Sequence, residues 1–133
     1  MINNPIVIAD DDADDRAMMV AALNKVFSDD QRIIQFPGGS ELLTLVLELI
    51  TMPRIILLDM VMPRFSGIEI LTKLRANKSL ENVPIVLLSG DKYNLDLAIQ
   101  ARADGFYSKP TNIDGFMEVA ADIKRLFLST HQC

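Results

Sequence analysis

Three consecutive aspartates, Asp10, Asp11 and Asp12, follow the short apolar run Ile6-Val7-Ile8-Ala9. A fourth, Asp59, closes the run Ile55-Ile56-Leu57-Leu58. Ser89 follows Ile85-Val86-Leu87-Leu88, and Lys109 follows Phe106-Tyr107-Ser108. Carboxylates gathered on one rim repel, and each raises its neighbours' pKa unless a cation lies between them. A hard divalent ion resolves that conflict, and Mg²⁺ suits a few carboxylates together with waters and a phosphate. In such a site Asp59 could act as a nucleophile, since carboxylates form acyl phosphates. Lys109 and the metal would neutralise a transferring phosphoryl group, and Ser89 could donate a hydrogen bond to a phosphoryl oxygen.

These residues share a rim only if the apolar runs are parallel strands, and the pattern between them supports that. Strands are expected at Ile6–Ala9, Arg32–Phe36, Arg54–Asp59, Pro84–Leu88 and Phe106–Ser108, each a short apolar run that reads as buried on both faces. Helices are expected at Ala13–Phe27, Ser40–Ile50, Ile68–Arg75, Asn94–Ala103 and Ile113–Leu128, and the first carries Met19, Leu23 and Val26 on one stripe. Ser28 to Gln31 reads as a turn, Pro37-Gly38-Gly39 as a break, and Ala76 to Val83 as a polar loop. Five alternations of strand and helix define an α/β fold, a parallel sheet with helices on both faces. In such a sheet, ligands bind at the carboxyl ends of the strands.

The bulk composition removes several classes. The 133 residues suit one domain, and half of them are hydrophobic, enough for a single core. A net charge of −5 argues against direct binding of nucleic acid, which needs clustered Lys and Arg. The lone cysteine, Cys133, permits no internal disulfide, which fits a reducing compartment. Met1 to Pro5 lacks the form of a signal peptide, and the run Leu42 to Met52 is too short and too polar to span a bilayer. A cytoplasmic protein with no membrane association is the expectation. An EF-hand starting at Asp10 fails, because Asp15 stands where Gly is needed and Ala21 where Glu is needed. Gly38-Gly39 lacks the rest of a phosphate-binding loop.

In order and spacing, Ile8-Ala9-Asp10-Asp11, Leu57-Leu58-Asp59-Met60-Val61-Met62-Pro63, Gly67, Leu88-Ser89-Gly90 and Phe106-Tyr107-Ser108-Lys109-Pro110 resemble the receiver domain of two-component response regulators. The resemblance runs from Ile6 to about Leu128. It implies a flavodoxin-like sheet in the order 2-1-3-4-5, a receiver domain over residues 1–128 and a tail over 129–133. It also implies roles. Asp59 would accept a phosphoryl group from a phosphohistidine. Asp11 would ligate Mg²⁺ directly, Asp10 mainly through water, and Val61 through its backbone carbonyl, with Asp59 completing the set. Ser89 and the Gly90 amide would hold phosphoryl oxygens, and Lys109 would pair with Asp59 and then with the phosphoryl group. Phe106 matches the aromatic switch position, whose ring turns inward as Ser89 moves. The implied partners are a sensor histidine kinase or histidine phosphotransfer protein and a downstream protein. The latter would be met on a face of Asn94–Ala103, Phe106–Ser108 and Asn112–Leu128, and a homodimer through that face is a further hypothesis.

The reading is of a stand-alone switch that catalyses only its own phosphorylation and dephosphorylation. The polar stretch Asn77 to Val83 resembles receivers that partner phytochrome-type kinases. Ser89 replaces the more usual Thr, Phe106 lacks the hydroxyl of the Tyr often found there, and Val61 cannot orient a water through its side chain, whereas Asp91 could. The family pattern also implies a cis Lys109–Pro110 bond. Asp14 and Asp15 read as first-turn acids favouring the helix dipole, and His131 as an exposed tail residue. Two rivals stand beside this reading. A haloacid-dehalogenase-type phosphatase would use a DxD motif, but the residue following Asp10-Asp11-Asp12 is wrong and a cap domain has no room. A pseudo-receiver would bind partners without phosphorylation, and it need not keep Asp11, Asp59, Ser89 and Lys109 together.

Overall fold

Odd and even residues of the central strands face opposite ways, and both sets are apolar. Val7, Ala9, Ile56, Leu58, Ile85 and Leu87 enter one core, while Ile6, Ile8, Ile55, Leu57, Val86 and Leu88 enter a second. A strand that is apolar on both sides must be covered on both sides, which demands helices above and below. The computed structural model of the protein describes residues 4–28, 30–48, 52–62, 64–90 and 95–128, with backbone alone over 45–48. In chain order the elements are β1 (Ile6–Ala9), α1 (Ala13–Val26), β2 (Ile33–Phe36), α2 (Gly39–Glu48), β3 (Ile55–Asp59), α3 (Gly67–Arg75), β4 (Ile85–Ser89), α4 (Leu95–Gln100), β5 (Gly105–Ser108) and α5 (Ile113–Phe127).

The five strands form one parallel sheet in the order β2-β1-β3-β4-β5, as the resemblance implies. Leu42 of α2, Ile70, Leu71 and Leu74 of α3 and Ala98 of α4 close the first core. Met19, Ala22 and Leu23 of α1 and Phe116, Val119, Ala120 and Ile123 of α5 close the second. The order reverses between β1 and β3, so a crevice opens at their carboxyl ends, where Asp10 and Asp59 stand.

Several sequence expectations need correction. β2 and β5 are half-buried rather than fully buried, because the sheet order makes them edges and each lacks a strand on one side. The loop expected at Ala76–Val83 contains a 3-10 turn, Lys78–Leu80, whose Leu80 is fully buried. Arg75 fastens that segment: Nη1 donates to the carbonyls of Leu80 and Val83 (3.0 Å each), Nε donates to that of Arg102 (3.2 Å), and Nη2 pairs with Asp104. α4 stops at Gln100 rather than Ala103, since Arg102 takes a left-handed φ of 69° and ends the helix. The expected turn at Ser28–Gln31 forms, the Gln31 amide donating to the Ser28 carbonyl (3.0 Å), but the Gln31 side chain is buried, and its Nε2 donates to the carbonyls of Asn4 and Arg32 (2.9 Å each). Asn94 and the tail from Ser129 lie outside the described residues.

Candidate functional site

The ladder runs one residue past each strand and so carries the polar residues to fixed places. The Asp10 amide donates to the Phe36 carbonyl (3.1 Å), the Met60 amide to that of Leu88 (2.8 Å), and the Lys109 amide to that of Ser89 (2.8 Å). Asp10, Asp59 and Ser89 are 7%, 5% and 1% exposed, a buried polar rim on an otherwise apolar sheet. Lys109 Nζ lies 2.9 Å from Asp10 Oδ2, 2.9 Å from Asp15 Oδ2 and 3.2 Å from Asp59 Oδ2. One ammonium therefore answers three carboxylates.

Turn chemistry sets the details. Asp10 Oδ1 accepts from the Asp12 amide (2.9 Å), and Arg16 Nη1 donates to the Asp10 carbonyl (2.6 Å). Asp12 turns away from the rim and caps α1, its Oδ1 accepting from the amides of Asp14 (2.9 Å) and Asp15 (3.0 Å). The Asp15 amide is the main reason the Asp12 carboxyl lies below its ordinary range. Asp59 Oδ1 accepts from the Val61 amide (3.2 Å). α3 begins against this loop through a capping box: Ser66 Oγ accepts from the Glu69 amide (3.2 Å), and Glu69 Oε1 accepts from the Ser66 amide (2.9 Å).

Gly67 lets α3 start directly behind Asp59. A Cβ there would stand 2.6 Å from the Asp59 carbonyl oxygen and 2.8 Å from Met60 Cα, and the Gly67 amide donates to the Met60 carbonyl (2.9 Å). Backbone atoms cannot step aside as a side-chain tip can. Gly67→Ala is expected to cost about 1–3 kcal/mol through overpacking and to displace the Asp59–Val61 loop. Urea unfolding checks this, and a midpoint unchanged from wild type would contradict it.

The electrostatics are unbalanced in a way that favours a cation. Burial pushes the Asp59 carboxyl up to about 7, the charge of Asp10 pushes the same way, and Lys109 and the Val61 amide only partly oppose them. Burial alone would lower the Lys109 pKa, but the hydrogen bonds its ammonium donates to Asp15 and Asp10 and the charges of Asp59 and Asp10 raise it above its ordinary value. Among the described residues, Asp10, Asp11 and Asp59 offer carboxylate oxygens that lie within 4.8 Å of one another. Three hard oxygen donors on a rim that raises the Asp59 pKa fit a small divalent ion.

The structure thus brings Asp10, Asp11, Asp59 and Lys109 together. Ser89 ends β4 beside them, in register with Ser108 of β5. Val61, a 67% exposed residue, reaches the group through its amide. Phe106 is half-buried against the core that α3 and α4 close. Gly90 follows Ser89 with open space where a side chain would stand. Asp91 and Pro63 lie outside the described residues. The expected cis Lys109–Pro110 bond is a correction: the peptide is trans, the isomer favoured by about 0.5–1 kcal/mol for an X-Pro bond. Pro110 in this form packs against Gly115, where a Cβ would come within 2.7 Å of the ring. Asp15 is what the sequence reading missed. Its place at the third position of α1, just after a capping aspartate, was the available signal, because such an acid points back toward the strand ends.

The site is an acidic crevice at the switch point of a doubly wound parallel sheet, with a lysine across it. A sequence profile of the response regulator receiver domain matches residues 6–121. The DNA-binding response regulator MtrA of Mycolicibacterium paratuberculosis is 34% identical over 107 residues, which make up 79% of this chain and 44% of MtrA. The chain thus spans less than half the length of that relative. In fold it is similar to the phosphorylated cyanobacterial phytochrome response regulator RcpA (TM-score 0.87, 20% identity, 98% of this chain and 97% of that one). It is similar also to the Mn²⁺-bound response regulator Rcp1 (TM-score 0.82, 20% identity, 97% of each). The chain belongs to the response regulator receiver domain family of two-component signalling. Among the described residues, no helix is long and apolar enough to cross a membrane.

Proposed function

We propose that this receiver domain is a phosphorylation switch in which Asp59 is the acceptor. The observation that carries the reading is a buried carboxylate at the end of β3, 3.2 Å from Lys109 Nζ, with oxygens of Asp10 and Asp11 within 4.8 Å. In the reaction an Asp59 oxygen attacks the phosphorus of a donor phosphohistidine. A P–O bond forms, the P–N bond breaks, and the imidazole leaves with a proton. The product is an acyl phosphate on Asp59.

Asp10, Asp11, Asp59 and the Val61 carbonyl would hold Mg²⁺, which supplies positive charge to the carboxylates and the phosphoryl oxygens. Lys109 moves from Asp59 toward the phosphoryl group, Ser89 Oγ donates to one of its oxygens, and the Gly90 amide lies beside it. Phe106, against the α4 side of the sheet, then changes position with Ser89 and alters the surface of α4, β5 and α5 that a partner reads. The donor is a histidine kinase or a histidine phosphotransfer protein, and the domain turns over no separate substrate. The family match supports this reading, as do the Mn²⁺ of Rcp1 and the phosphorylated state of RcpA.

Incubation with acetyl phosphate tests the reading on a phosphate-affinity gel. A retarded band that forms with Mg²⁺ and disappears with chelator is the expected result. A folded wild-type chain that is never retarded, with acetyl phosphate or with phosphorylated histidine kinases, would favour a domain that binds partners without phosphorylation.

A further inference from the structure

The ammonium of Lys109 has three carboxylate partners, and they are not equivalent. Asp10 and Asp59 belong to the group of three whose oxygens lie within 4.8 Å of one another, and Asp15 does not. A cation at that group draws the oxygens of Asp10 and Asp59 toward itself and repels the ammonium. Two of the three partners of Lys109 are then shared with its competitor, and Asp15 alone keeps its full charge for the lysine.

We propose that Asp15 is a positioning residue that anchors Lys109 while Asp10 and Asp59 turn to the metal. The proposal rests on the function put forward above and adds a residue to it. Asp15 is built for such a task. Its amide is bound by the cap residue Asp12 (3.0 Å), and Arg16, the next residue, ties the first turn of α1 to the Asp10 carbonyl (2.6 Å). The Lys109 backbone is held by the Ser89 carbonyl (2.8 Å). The Asp15 and Lys109 side chains are 22% and 14% exposed, so the pair is sheltered from the screening that weakens surface ion pairs. Without Asp15 the ammonium rests wholly on Asp10 and Asp59 and opposes Mg²⁺ binding more strongly.

Calorimetric titration with Mg²⁺ tests this on the whole chain, with circular dichroism to verify folding. Asp15→Asn is expected to weaken Mg²⁺ binding about 3- to 10-fold, the size of a partly sheltered ion-pair effect. Asp14→Asn removes the same formal charge one residue away, without the lysine contact, and is expected to weaken binding by less than about 2-fold. Asp15→Glu keeps the charge and is expected to restore most of the affinity. In a Lys109→Met background the Asp15→Asn change should shrink to the size of the Asp14→Asn change, because Asp15 then has no ammonium to hold. Equal effects of Asp15→Asn and Asp14→Asn, or an undiminished Asp15→Asn effect in the Lys109→Met background, would overturn the assignment while leaving the switch reading in place. A wild-type chain that neither binds Mg²⁺ nor accepts phosphate from acetyl phosphate would overturn both.

Discussion

Asp59→Asn is expected to abolish Mg²⁺-dependent phosphorylation from acetyl phosphate and, in the same preparation, to raise the melting temperature at pH 8 in chelator. The loss follows from the amide, which has no anionic oxygen to attack phosphorus. The gain follows from linkage. Unfolded, the Asp59 carboxyl gives up its proton near 3.8; folded and metal-free, it does so near 7. Between those values the native state holds a proton that the unfolded state has lost, so the stability of the wild-type chain falls as pH rises from about 4 to about 7 and stays lower above. Asparagine occupies the same volume without that charge. A gain of about 2 kcal/mol, a few degrees in Tm, is the expected scale at pH 8, shrinking toward pH 5. Thermal melts at both values check it. An unchanged Tm at pH 8, or a larger gain at pH 5 than at pH 8, would mean that the buried charge is better compensated than the geometry indicates.

Lys109→Met is expected to act in the opposite direction. The ammonium sits within 3.2 Å of three carboxylates, two of them on residues less than a tenth exposed. Removing the cation leaves buried anions unpaired, which costs about 3–5 kcal/mol in comparable settings. The deficit should be largest above pH 7, where Asp59 is charged, and smaller at pH 5, where Asp59 takes up a proton. Mg²⁺ substitutes for the lost charge and binds only the folded chain, so it should raise the melting temperature of Lys109→Met more than that of wild type. Calorimetric melts with Mg²⁺ and with chelator decide the matter. Equal metal-induced shifts in the two proteins would show that Lys109 and the cation do not compete for the same oxygens.

Much of this was legible in the residues because much of it is local. The two-sided apolar runs at Ile6–Ala9, Ile55–Leu58 and Ile85–Leu88 announce strands covered on both faces, and the punctuation of Pro37-Gly38-Gly39 marks where a helix begins. Other features depend on neighbours distant in the chain. Leu80 lies in a polar stretch and nothing beside it signals burial; Arg75, reaching across to Arg102 and Asp104, folds the stretch inward. α4 is shorter than its pattern because a left-handed Arg102 ends it. The Lys109–Pro110 bond is trans where the family pattern implied cis.

By itself the sequence determined the alternation of strand and helix, the family, and the set of polar residues at the strand ends, since side-chain period and strand-end chemistry are properties of neighbouring residues. Only the tertiary structure decided which edges stay half-exposed, that Asp12 leaves the rim to cap α1, that Gly67 presses on the Asp59 backbone, and that Asp15 joins Asp10 and Asp59 around Lys109. Asp10 and Lys109 are 99 positions apart. Their distance, and the pKa that burial and mutual charge impose on Asp59 between them, exist only once the sheet has brought the ends of β1, β3 and β5 onto one rim.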